Sequence, residues 1–250
     1  MSASATVGPQ ALPELQEQVE RIIAEAARQG ASASEVAVSL EQGLSTTVRQ
    51  GEVETVESTR DRGIGVTVYF GKRKGSASTA DLREDSLEAT VEQACAIARH
   101  TEDDAASGLA DPELMATDLR EFDSWHPWAI DADRAVDLAL ACEQAGREAD
   151  QRIGNSDGAS LGTGTSLSVY ANSHGFVGRE RSTQHSIGCA LIAGEGEAMQ
   201  RDGWYSIALA ASDLEDGAAI GRKAAERAAA RLAPRQVATG EYPVLFSAEV

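Results

Sequence analysis

The chain has 250 residues, 42% hydrophobic and 25% charged, so it can bury a good core as one large domain or two smaller ones. Its 40 acidic residues outnumber 22 basic ones, for a formal net charge of -18 and a pI near 4.6. That field repels phosphate backbones and anionic lipid, which argues against nucleic acid or a membrane surface as a direct partner.

The opening MSASATVGPQALPEL has neither the basic nor the apolar segment of a secretion signal, and residues 1–10 read as a flexible tail. No apolar run reaches the ~20 residues that span a bilayer. Residues 11–30 predict a helix: Leu12, Leu15, Val19, Ile22, Ile23 and Ala26 recur at helical spacing, with Pro13 in the first turn and Gly30 at the stop. Short β runs follow at 35–40, 46–49, 53–59, 64–70 and 76–79. Lys72-Arg73-Lys74, set between Gly71 and Gly75, reads as a solvated hairpin tip. A second helix is expected over 84–99, with Asp81 and Glu84 as a capping box.

An acidic, turn-rich connection at 101–116 leads to an aromatic linker at 117–131, containing FDSWHPWAI. There Trp125 and Trp128 are expected to wedge two halves together. The pattern then restarts: Asp131 caps a helix to about 149, short strands run from 159 to 210, and an alanine-rich helix covers 216–232. Cys95, Cys142 and Cys189 form no C-x-x-C pair and read as small hydrophobes in a reducing cytoplasm.

The halves align by their turns. Gly51 precedes Ser58-Thr59 as Gly175 precedes Ser182-Thr183, and each pair leads to Ile-Gly and an apolar run. The expected fold is therefore α+β, a duplicated helix–antiparallel β-sheet–helix unit, with repeats at 11–116 and 132–236.

Candidate chemistry is sparse. In NSHG, Asn172 suits position i of a type I turn and Gly175 the left-handed position, so His174 reads first as a turn residue. NSDG at 155–158 has the same signature with Asp157, and VRQG places Gln50 at the corresponding slot. His185, near Arg181, reads as a strand residue on a polar face. His100, His126, His174 and His185 fit no metal-ligand spacing, so no cofactor is expected in this chain. GASLG around Ser160 matches a nucleophile elbow formally, but glycine and a strand follow it where the elbow needs a helix. Asn172, His174, Arg181 and His185 remain as candidates for contacting a substrate or partner.

With the repeat laid out, the chain resembles the PmbA (TldE) branch of the TldD/PmbA family. The segments that carry the likeness are EVAVSLEQGLSTTVRQGEVETVES, GIGVTVYFGKRKGSASTADL, DLREFDSWHPW, ADQRIGNSDGAS, VYANSHGFVG and EYPVLFSAEV. The resemblance implies a cytoplasmic, two-subunit zinc metallopeptidase acting on small peptides or unfolded proteins. Zinc is expected in the TldD-type partner, and a PmbA-type chain helps form the peptide channel. No catalytic residue carries over, and 237–250 is expected to be the first strand of a truncated C-terminal domain. The alternative is a non-proteolytic adaptor for a protein target such as DNA gyrase.

Overall fold

The computed structural model describes residues 7–246 and 248. The two halves repeat one order of elements. The first contains α1 (Leu12–Arg28), β1 (Ala33–Arg49), β2 (Glu52–Phe70), β3 (Arg73–Thr79) and α2 (Glu84–His100). The second contains α3 (Ala132–Ala149), β4 (Ile153–Asn172), β5 (Val177–Ala193), β6 (Gln200–Ala208) and α4 (Gly217–Ala230). Every strand joins one antiparallel sheet, ordered β3-β2-β1-β4-β5-β6. The duplication thus closes on itself: β1 and β4 pair at the centre and each half runs outward from them.

The helices form where the sequence places them, with informative caps. The expected stop of α1 is made by Gly30 at φ +89, with Gly30 N–H to Ala27 O and Ala31 N–H to Ala26 O, both 3.0 Å. Asp131 and Asp216 cap α3 and α4 by accepting from Arg134 N–H at 2.8 Å and Ala219 N–H at 2.9 Å. The capping box at α2 does not form. Its N-cap is Arg83, and Asp81 instead accepts from the Arg83 guanidinium and the Ser86 hydroxyl.

The runs at 35–40 and 46–49 fuse into β1 and those at 53–59 and 64–70 into β2, strands of 17 and 19 residues, while 76–79 falls in the 7-residue β3. Gly43 and Gly63 sit within the ladder without breaking it, because the register between β1 and β2 runs unshifted through both. NSDG is likewise no turn. It is a bulged stretch of β4 with register shifts on either side, where Gly158 holds φ +108. A Cβ there would stand 2.6 Å from Val48 O.

All four helices cover one face of the sheet, over two cores. Val36, Val38, Ile64, Val66, Leu167 and Val169 meet α1 and α2. Val48, Leu161, Ile187, Cys189 and Leu191 meet α3 and α4. The aromatic linker joins them, with Trp125 against the first core and Trp128 and Ile130 against the second. All three cysteines are buried. At the N-terminus, Val7 is buried in the first core and 9–11 forms a short 3-10 turn, while 1–6 lie outside the described residues. The strand expected at 237–250 falls partly outside them too, and 237–246 carries no helix or strand.

Candidate functional site

The histidine of NSHG sits in a turn built by its neighbours. Gly175 N–H reaches Asn172 O at 3.0 Å, and Gly175 takes φ +87. Asn172, buried at the end of β4, accepts from the backbone N–H of His174 at 3.1 Å and Phe176 at 3.4 Å. Such side-chain-to-backbone bonds are why Asn starts turns. The imidazole of His174 is exposed.

The tips of the two central hairpins dock reciprocally. Ser173 N–H donates to Ser34 O at 2.8 Å, and Ser34 N–H donates to Ser173 Oγ at 3.0 Å, tying the second hairpin to the first strand. The first hairpin turns through Gln50 (φ +56) and Gly51 (φ +81), the mirror-image two-residue turn that suits strand twist. That turn leaves two N–H groups unpaired in the ladder. Glu143 of α3, 1% exposed, takes both: Oε1 from Gln50 at 2.7 Å and Oε2 from Gly51 at 2.8 Å. A buried carboxylate is tolerated when hydrogen bonds replace its hydration. The slot that Gln50 shares with His174 by alignment therefore has different backbone geometry in each half.

His185 lies on the inner face of β5, fully buried. Its Nε2 donates to the His126 carbonyl at 2.9 Å, since a carbonyl only accepts, and its Nδ1 pairs with the Thr163 hydroxyl at 2.8 Å. Trp128 meets the ring edge-on, centroids 5.6 Å apart. Both ring nitrogens are spent on holding the linker to the sheet, which leaves none for a metal or a proton relay. The polar face expected for His185 is thus a polar seam inside the fold. Arg181 is exposed, and its carbonyl accepts from Ser124 Oγ at 2.6 Å. Counting from Val177 to His185 at ~3.3 Å per residue, the two ends of this set lie about 26 Å apart. Asn172 and His174 are brought together; Arg181 and His185 are not brought to them.

The sequence reading missed a cluster at the same end of the sheet. Glu35 accepts from the Tyr69 hydroxyl at 2.7 Å and the Tyr170 hydroxyl at 2.8 Å, and Asn172 Nδ2 lies 3.5 Å from the latter. Burial, then the hydrogen bond and charge of Glu35, push the Tyr69 phenol far above its usual range. Tyr170 is raised as well, chiefly by burial. The strand alternation held the signal: Glu35 stands on the face opposite Val36 and Val38. For Glu143 it was a carboxylate on the apolar side of α3, among Ala139, Cys142 and Gly146.

The sheet face away from the helices is low and polar. Ser39, Gly43 and Ser45 of β1 stand opposite Ser168, Gly164 and Gly162 of β4, and Ala37, Ser39, Gly63, Gly65 and Ser78 line a shallow depression. Such side chains let another backbone approach closely. Among the described residues no three His, Cys, Asp or Glu side chains gather to hold a metal, so this part of the chain does not fit a zinc centre. Nor is any helix there long and apolar enough to cross a membrane.

A PmbA/TldA metallopeptidase central-domain model matches residues 125–232, and the domain 1 model matches 34–98. The chain is 41% identical over 237 residues to the "Metalloprotease PmbA homolog" of Haemophilus influenzae, covering 95% of this chain and 52% of that protein. The chain belongs to the PmbA/TldD metallopeptidase family. "Metalloprotease PmbA" of Escherichia coli O157:H7 is 43% identical over 217 residues, or 87% of this chain and 48% of that one. A putative modulator of DNA gyrase from Bacteroides thetaiotaomicron superposes with a TM-score of 0.83 at 26% identity, over 92% of this chain and 52% of that one. TldE from Thermococcus kodakarensis shares the fold, with a TM-score of 0.73 at 16% identity over 85% and 47%. The chain spans about half the length of the PmbA relatives it matches.

Proposed function

We propose that this chain is a non-catalytic, substrate-guiding subunit of a cytoplasmic TldD/PmbA-type zinc metallopeptidase that processes small peptides or unfolded proteins. The observation that carries the reading is the uncovered Ser/Gly/Thr face of the sheet in a member of a metallopeptidase family. A low face of small and polar side chains lets an extended backbone lie close over the sheet, within reach of Ser and Thr hydroxyls that can donate to or accept from any main chain. The net charge of -18 favours neutral or basic segments. Zinc and the water it activates belong to the TldD-type partner. The role of this chain's residues is to hold peptide on the uncovered face; of the candidates, His174 is exposed at the end of the β4–β5 hairpin, whereas Asn172 and His185 are buried and Arg181 stands opposite Leu167, on the helix side of the sheet.

Mixing the full-length protein with a TldD-type subunit should give chelator-sensitive cleavage of an unfolded substrate that neither shows strongly alone. Chelator-sensitive cleavage by this chain in isolation would refute the assignment. The gyrase description attached to the Bacteroides structure motivates a second reading, a non-proteolytic adaptor. Under it, purified gyrase should be retained by this chain without any peptidase partner.

A further inference from the structure

β6 ends the sheet on the side of the second half. Among the described residues no strand pairs with it on the side away from β5, and no loop backbone bonds to Gln200–Ala208. In an antiparallel ladder alternate residues turn N–H and C=O away from the neighbouring strand, so this edge presents a row of unpaired groups. Natural edges are usually blunted by charge or proline. From Gly203 to Ala210, GWYSIALA, there is neither. Instead Tyr205, Ile207 and Leu209 stand out at every second position, 63%, 55% and 48% exposed.

The register puts this stripe on the uncovered face. Tyr205 stands opposite Gly188 and Ile207 opposite Ser186, which in turn face Ser160 and Gly162. An apolar ridge thus borders a floor of small side chains. The duplication supplies an internal control. β3 closes the sheet at its other end, and there the side chains on the same face are Lys74, Ser76 and Ser78. The architecture therefore does not require apolar residues on an outer strand.

A row of unpaired N–H and C=O groups is satisfied by another extended backbone, and apolar side chains at every second position match the two-residue repeat of such a backbone. Directly opposed side chains across the new pair would have Cβ atoms about 5 Å apart, so apolar partners would cover Tyr205 and Ile207, whereas a charge there would lose its hydration. We propose that β6 takes up an extended peptide as a seventh strand, and that Tyr205 and Ile207 select segments with apolar side chains at every second residue. The inference rests on the reading of this chain as a peptide-guiding subunit and names the class of segment it holds. Such alternation marks half-buried strands, which unfolded proteins expose.

Fluorescence anisotropy of a short labelled peptide of alternating Val and Thr, with lysines at its ends, tests this. The peptide should bind the wild-type chain, and Tyr205→Glu/Ile207→Glu should weaken binding about 10-fold or more. Because glutamate attracts the lysine ends, that loss reports the edge and not a charge repulsion. Val53→Glu/Val56→Glu, an exposed apolar pair elsewhere on the sheet, should leave binding unchanged. Methylating alternate backbone nitrogens of the peptide should abolish binding for the set that faces β6 and spare the other set. Circular dichroism checks that each variant is folded. No binding to the wild type, equal binding to the Tyr205→Glu/Ile207→Glu chain, or indifference to both methylated sets would overturn the proposal. So would a dimer that this variant dissociates and that takes no peptide, since a second copy would then close the edge. Chelator-sensitive cleavage in the mixture with a TldD-type subunit, if the variant leaves it intact, would overturn this inference and keep the subunit reading. Variant-sensitive peptide binding with no cleavage in that mixture would do the reverse.

Discussion

The two halves share an order of elements and one sheet, yet they pack their helices differently. In the second half α3 and α4 touch backbone to backbone. A Cβ on Gly221 would stand 2.0 Å from Cys142 O, and one on Gly146 2.7 Å from Gly221 O. In the first half the close approach is between strand and helix instead, where a Cβ on Gly75 would stand 2.2 Å from Ala94 O. There α1 and α2 diverge around a groove of about 160 Å³ lined by Gln18, Ile22, Leu87 and Val91. One topology thus tolerates two packings, each fixed by where glycine lets backbones meet. The same asymmetry recurs at the edges: the linker bonds to β5 at Arg181 and Thr183, while residues 52–62 of β2 are exposed and no described strand pairs with them on the side away from β1.

The sharpest way to break the comparison is at those contacts. Gly221→Ala should cost about 3 kcal/mol, the upper part of the overpacking range, because the obstacle is a backbone carbonyl that cannot rotate away. Gly75→Ala should cost as much through the first core. Gly65→Ala should cost little by comparison, since a Cβ there meets nothing within 4 Å. Urea unfolding of the three variants checks the order.

Next comes the docking of the hairpins. Glu143→Ala removes two charge-assisted hydrogen bonds, to the N–H groups of Gln50 and Gly51, and should destabilise by about 3 kcal/mol, whereas Ser173→Ala, which removes one hydroxyl acceptor, should cost about 1 kcal/mol. Equal losses would show that the tips are held alike.

A pH experiment addresses the Glu35 cluster. The folded-state values of Tyr69 and Tyr170 are raised, so this contribution to stability is complete below the ordinary phenol value of about 10 and is lost as pH rises through the folded-state values. Glu35→Gln should therefore bring part of the phenolate absorbance to lower pH. An unchanged titration curve would mean that burial alone sets both phenols.

The smallest effect belongs to the histidine of the second hairpin. His174→Asp should change stability by well under ~1 kcal/mol, as exposed turn substitutions do. Gly175→Val, forced to positive φ, should cost about 2 kcal/mol. Loss of peptidase function in a complex carrying a well-folded His174→Asp subunit would turn this turn residue into a functional one.

The sequence was enough for the helices, their apolar stripes, the cap at Asp131, the NSHG turn and the duplication. All are local, readable from spacing within one or two turns of chain. The resemblance added the family, which the matching relatives establish. Strand length was not legible, because a glycine inside a ladder and a glycine at a turn look alike until a partner strand is present. NSDG and NSHG show this, one a bulge and the other a turn. Only the tertiary structure decided that the two units share a single sheet, and that His185 is consumed by Thr163 and the His126 carbonyl. It alone decided that Glu143 reaches across to the first hairpin, more than 90 residues away. Such contacts depend on which side chains the antiparallel pairing of β1 with β4 brings within hydrogen-bond reach, and no periodicity within a segment carries that information.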